Sequence, residues 1–187
     1  VAFYNVQWHI TQSAEILCRD EVQSCPSTEP ENPTMSAHSD KAAHYFMQGY
    51  NCAQATVAPF AETLKVDLAQ ALRVAAGFGA GMGGLRQTCG AVSGMVLIAG
   101  LMEGSYPPND TASKKALYDV IKKMQSEFVN CHGTTCCKEL LKKAAIDPPL
   151  DPSQRTAEYY RARPCVRFVV TAAEIVERTL LTSREAP

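Results

Sequence analysis

Apolar residues recur at three- and four-residue spacings through most of this chain, and no strand-length run alternates cleanly between hairpin turns. From His38 to about Leu64, Ala43, Phe46, Met47, Tyr50, Ala53 and Val57 share one stripe. That predicts a long helix, weakened at Gly49 and kinked or ended by Pro59. Asp67 is placed to cap a second helix, DLAQALRVAAGF, with Leu68, Leu72, Ala75 and Ala76 on its inner side. A third helix, rich in small residues, is expected from near Thr88 to near Gly104. Residues 111–130 put Leu117, Ile121, Met124 and Phe128 on one face and lysines outside. Gly133 breaks that helix, Thr134 or Thr135 caps the next, and CCKELLKKA carries it on. A last helix opens around Pro164, and the continuation AAEIVERTLL favours helix over strand for CVRFVV. The expected fold class is all-α: a compact multi-helix bundle with a Gly-rich interhelical loop. Residues 1–34, which include the turn-rich CPSTEPENPT, read as an N-terminal extension and linker. Residues 35–187 read as the helical, cysteine-rich domain.

Composition narrows the functions. With 187 residues, 46% apolar and 20% charged, the chain can bury a core. A formal charge of −1 provides no broad basic field, so no nucleic-acid partner is expected. The most hydrophobic stretch, Cys89 to Met102, is too short to cross a bilayer, so no membrane span is expected. The opening VAFYNVQWHI lacks the features of a secretory signal. A cytoplasmic location is expected, with a removed targeting segment left open. Hydrolase signatures are missing: Ser93 sits in AVSGM and not in G-x-S-x-G, and there is no H-E-x-x-H. Tyr159, Tyr160, Arg161 and Arg163 read as helix surface.

Gly77, Gly79, Gly81, Gly83 and Gly84 invite a nucleotide-loop reading, but the preceding text is helical and no Gly-Lys-Ser or Gly-Lys-Thr follows. Two readings remain. One is a flexible interhelical loop; the other is a place where backbone approaches a cofactor or another helix closely. Gly90 and Gly94 extend the bare surface by one helical turn. Gly79, Gly81, Gly83, Gly84 and Gly90 are therefore the candidate cofactor-binding glycines.

The eight cysteines are Cys18, Cys25, Cys52, Cys89, Cys131, Cys136, Cys137 and Cys165. No CxxC or CxxCH occurs, so any site must be assembled in space. Cys89 follows Thr88, Cys136 and Cys137 follow two threonines, and Cys165 follows Pro164. These are helix-start positions, where unpaired amides and the positive helix end favour thiolate. Cys52 lies inside the first expected helix, where core packing would explain it.

GYNCAQA around Cys52, the Gly-rich run leading to TCGAVSG around Cys89, CKELL opening on Cys137, and Cys165 ahead of AAEIVE together resemble the C_GCAxxG_C_C family of redox-active proteins. Here the second element reads CGAVSG. The resemblance covers about residues 41–180. It implies that Cys52, Cys89, Cys137 and Cys165 are the functional set, either redox-active or holding a metal or iron–sulfur centre. Three readings stay open: an iron–sulfur or other metal centre for electron transfer, thiol–disulfide chemistry, and a zinc-stabilised helical binding module. Haem ligated by His9, His38, His44 or His132 ranks behind them. A redox partner protein and a homo-oligomer are compatible with each.

Overall fold

The computed structural model describes residues 36–146 and 154–182. The expected extension and linker, with His9, Cys18 and Cys25, lie outside the described residues. Eight α-helices run α1 (Ala37–Met47), α2 (Cys52–Val57), α3 (Leu68–Ala75), α4 (Gly90–Glu103), α5 (Thr111–His132), α6 (Cys137–Lys143), α7 (Ala157–Ala162) and α8 (Cys165–Val176). Among the described residues the only β pairing is one isolated antiparallel bridge between Thr88 and Cys136. The all-α expectation holds.

The long first helix does not. It splits at Gly49, whose φ of +98° suits a residue without Cβ. Asn51 then starts α2 afresh. Its Oδ1 accepts from Ala53 N–H at 2.9 Å and Gln54 N–H at 3.0 Å, while its own N–H donates to Gln54 Oε1 at 3.1 Å. This is a reciprocal capping box. Pro59 sits at the start of the 3₁₀ turn Ala58–Phe60, which ends that arm. The expected stripe also shifts: Ser39, Ala42 and Phe46 are the buried face of α1, and Met47 is exposed. In α3, Asp67 caps as expected through Gln70 N–H and Ala75 faces inward as expected, but Ala71 joins it there while Leu68 and Ala76 lie outside. The reason is a rotation of the inner face by one residue, within an apolar face broad enough to admit either registration.

Helix α4 is the centre of the molecule. Gly90 through Met95, with Ile98 and Ala99, are all buried. Its packing faces are α2 on one side and α5 and α8 on the others, with α1 lying along α8. Gly94 is the reason α2 comes so near: a Cβ there would stand 2.7 Å from Thr56 Cβ. Phe46, Phe60, Met95, Met124, Phe128 and Leu141 fill the remaining interior, each fully buried. Such side chains contribute about 1.5–3 kcal/mol apiece. No helix among the described residues is long and apolar enough to cross a membrane.

A thiol cluster at four helix starts

Each of Cys52, Cys89, Cys137 and Cys165 stands at the start of a helix. Cys52 follows the Asn51 cap of α2, Cys89 is itself the N-cap of α4, Cys137 follows the Cys136 N-cap of α6, and Cys165 follows the Pro164 N-cap of α8. Three of these placements match expectation to within a residue, with Cys89 and Cys136 taking the cap positions expected for the threonines. Thr134 instead accepts the Cys136 N–H at 3.1 Å. Cys52 is the correction: it begins a helix because Gly49 and Asn51 end the previous one. The Asn51-x-x-Gln54 spacing was the sequence signal for it.

Backbone pairing brings two of the starts together. Cys89 N–H donates to Thr135 O at 2.8 Å, Cys137 N–H to Gln87 O at 2.6 Å and Lys138 N–H to Arg86 O at 3.0 Å. The glycine run supplies the rest of the frame. Ala80, Gly81, Met82, Gly83 and Gly84 all have positive φ, between 52° and 90°. Gly79–Met82 is therefore a left-handed turn, closed by Gly84 N–H to Gly79 O at 3.3 Å and Gln87 N–H to Gly81 O at 3.0 Å. It is neither a flexible connector nor an ordinary helix.

Close approach explains several of the glycines. A Cβ on Gly81 would stand 2.8 Å from both Cys137 Cβ and Arg86 Cα. One on Gly90 would meet Cys52 Cβ at 3.0 Å, and one on Gly79 would stand 2.7 Å from Asn51 Cγ. Gly79 also lines a cavity of about 330 Å³, together with Gly83 and Gly84. Of the candidate cofactor-binding glycines, Gly81 and Gly90 thus serve close packing, Gly83 and Gly84 line the cavity, and Gly79 does both.

The four sulfurs share one electrostatic environment. Cys52 hydrogen-bonds Cys165 and feels the charges of Cys89 and Cys137; Cys89 in turn feels Cys137 and Cys165. Burial and the helix starts compete, and burial wins at Cys89 and Cys137. It pushes Cys89 up to about 12, against the opposing pull of the Ala91 and Val92 amides. It also raises Cys137, which an Arg86 hydrogen bond only partly offsets. Cys52 is raised because its thiol proton is held against Cys165 in an enclosed setting. Cys165 is the exception. The Cys52 hydrogen bond lowers it, followed by the guanidiniums of Arg163, Arg155 and Arg86, and together these outweigh its burial. Cys165 is therefore the thiol of the cluster most easily ionised, and Cys52 is the partner that favours its ionised form.

The remaining cysteines stand apart. Cys136 directs its sulfur to the Arg86 carbonyl at 3.7 Å, and Cys131 is disulfide-bonded. The histidines have other occupations: His38 pairs with Glu177, His44 with Gln48, and His132 packs against Phe128 and Phe168. Among the described residues no three His, Cys, Asp or Glu side chains are gathered at the spacing of a single metal ion. Sequence reasoning passed over Arg86 and Arg155, and it read Arg163 and Tyr159 as surface. All four line the cavity beside the thiols.

The family described as "Putative redox-active protein (C_GCAxxG_C_C)" matches residues 50–179, more than half of the chain, and the chain belongs to it. No curated protein and no solved structure matches the chain. The matched span contains all four helix-start thiols.

Proposed function

We propose that the chain is a thiol–disulfide redox protein whose working pair is Cys165 and Cys52. What supports this reading is the opposite pull the two thiols exert on each other: Cys165 is the largest influence raising Cys52, and Cys52, followed by three guanidiniums, lowers Cys165. A pair so arranged has one nucleophile and one resolving thiol. Cys165 thiolate attacks a disulfide of a partner protein or small molecule, forming a mixed disulfide and expelling one thiolate. That thiolate takes the Cys52 proton and leaves as a thiol. The Cys52 sulfur then attacks Cys165 in the mixed disulfide and expels the second thiolate. The pair loses two electrons, the substrate disulfide gains them, and the reverse sequence reduces the protein.

The test is anaerobic equilibration of the reduced protein in a graded small-thiol redox buffer, followed by alkylation and peptide mass mapping. The expected product is a Cys52–Cys165 disulfide. A protein that forms no disulfide, or joins only Cys89 to Cys137, would not be the dithiol described.

A second reading rests on the mutual interaction of all four sulfurs. Cys52, Cys89, Cys137 and Cys165, three of them buried and Cys52 partly so, form a four-thiol donor set chemically suited to an iron–sulfur cluster, which would supply one-electron transfer. A single tetrahedral zinc fits less well. It needs sulfurs roughly 3.8 Å apart given Zn–S bonds of about 2.3 Å, and no three donors of the described residues are gathered so closely. Anaerobic iron and sulfide analysis with a visible spectrum separates the two readings. Stoichiometric iron and sulfide, with all four thiols protected from alkylation, would favour the cluster.

A further inference from the structure

The cavity beside the thiols has a composition that neither redox reading requires. Its volume is about 330 Å³, and its lining includes Asn51, Arg86, Arg155, Tyr159 and Arg163 but no acidic residue. That is the low end of the range for small-molecule pockets. Arg155 and Arg163 both lie against the Tyr159 ring, 4.6 and 4.5 Å from its centroid, and Arg155 also covers Phe46 at 5.1 Å. The aromatic faces fix the planes of these guanidiniums and leave their edges for other partners. Nη1 of Arg155 is buried with no hydrogen-bond partner. A buried charged donor left so is costly unless something accepts from it.

Backbone cannot be the main recognition element. The Gly83 and Gly84 amides already bond Gly79 O, so this is not a phosphate loop built from free N–H groups. Recognition falls to the side chains. Planar guanidinium forks match carboxylate and phosphate oxygens in pairs.

We propose that this cavity binds a small organic anion through its carboxylate or phosphate oxygens, with Arg155 and Arg163 as the principal ligands. Arg86 reaches both the cavity and the Cys137 sulfur, so the bound anion lies next to the thiol cluster. The site goes beyond the dithiol reading and stands without it, because binding is read with no thiol chemistry.

Isothermal titration of the reduced full chain at low ionic strength, with citrate, inorganic phosphate and glucose, tests it. Citrate or phosphate should bind with Kd below about 1 mM, weakening with added salt, and glucose should not bind. Stronger binding of citrate marks a carboxylate ligand; stronger binding of phosphate marks a phosphate ester. Arg155→Gln and Arg163→Gln should each weaken binding by about tenfold or more. Arg178→Gln, which removes an exposed partner of Glu127, should leave it unchanged. Arg163→Lys keeps the charge and guards against misfolding; with an unchanged melting temperature it should still lose affinity, because the fork is gone. The proposal is overturned if neither anion binds the wild type, or if binding survives unchanged in both glutamine variants. Anion binding without any Cys52–Cys165 disulfide would remove the dithiol reading alone.

Discussion

Two pairs of thiols meet in this protein, and their surroundings differ. Cys89 and Cys137 are joined through their backbones: residues 86–89 and 135–138 exchange main-chain hydrogen bonds. Cys52 and Cys165 have no such clip and meet through their sulfurs. The backbone-clipped pair is the one in which both thiols are raised. Cys89 is 3% exposed and pushed up to about 12, while Cys165, barely more exposed at 7%, is lowered. Burial alone therefore does not distinguish the two pairs. The difference is the Cys52 partner first and countercharge second: Arg163 and Arg155 also lower Cys165, whereas burial is the largest influence on Cys89. A helix start favours thiolate only when a charge or a hydrogen bond helps it against desolvation.

The sharpest way to break this comparison is to remove one sulfur from each pair. Cys165→Ser should abolish the intramolecular disulfide formed under mild oxidation, because the nucleophile is lost. Cys89→Ser should leave it in place. Peptide mapping after alkylation reads both, and equal loss in the two variants would make the four thiols a single unit.

Next in size is the frame around the backbone-clipped pair. Gly81→Ala would need φ near +71° and would drive a Cβ to 2.8 Å from Arg86 Cα and Gln87 N, which are backbone atoms that cannot swing aside. Left-handed strain and overpacking together should cost about 2–5 kcal/mol in denaturant unfolding. Gly49→Ala, also at positive φ but with nothing within 4 Å, should cost only about 1–2 kcal/mol. A similar cost for both would mean that contact with Cys137 is not what fixes Gly81.

A third change acts on the active pair. Arg163→Gln removes one positive charge from Cys165, so its thiol should rise and its thiolate fraction near neutral pH should fall. The rate of iodoacetamide reaction at Cys165 should then shift its midpoint to higher pH. An unshifted profile would show that the Cys52 hydrogen bond alone holds Cys165 down.

Outside the four-thiol set, His132 tests how burial acts on a group with no helpful partner. Packing between Phe128 and Phe168 leaves its Nε2 without a hydrogen bond, and desolvation, then Arg167 and Lys143, pull it down to about 4. The unfolded chain binds the proton near pH 6.5 and the folded chain only near pH 4. Stability should therefore be full above pH 6.5 and decline as pH falls through that window. His132→Phe should flatten this acid limb, measured as melting temperature against pH. A limb that keeps its slope would place the titration elsewhere.

These contrasts also mark what could be read from the residues. The helices were legible because Asp67, Gly133 and Pro164 punctuate an otherwise regular apolar spacing. The break between α1 and α2 was encoded too, in Gly49 and the Asn51–Gln54 box, but an apolar stripe that runs straight through hid it. Three helix-start thiols were visible locally, and their convergence with the fourth came from the family resemblance. The arginines were not legible. Arg86 lies far in sequence from Arg155 and Arg163, and only the folded chain brings the three to one cavity. Whether a helix-start thiol is raised or lowered depended in part on that unseen charge.

The smallest expected effect sits in the left-handed turn itself. Ala80 and Met82 carry a Cβ at φ of 52° and 67°, where L-residues pay about 1–2 kcal/mol relative to glycine. Glycine also gains freedom in the unfolded chain, which takes back about 0.5–1 kcal/mol. The two terms oppose, so Ala80→Gly should stabilise by no more than about 1.5 kcal/mol. Denaturant midpoints at constant slope can resolve a change of that size. A stabilised variant whose Cys52–Cys165 disulfide forms as before would show that the turn's strain is incidental. Stabilisation accompanied by slower disulfide formation would instead mean that the strained turn holds the cavity wall and Arg86 in the position the active pair requires.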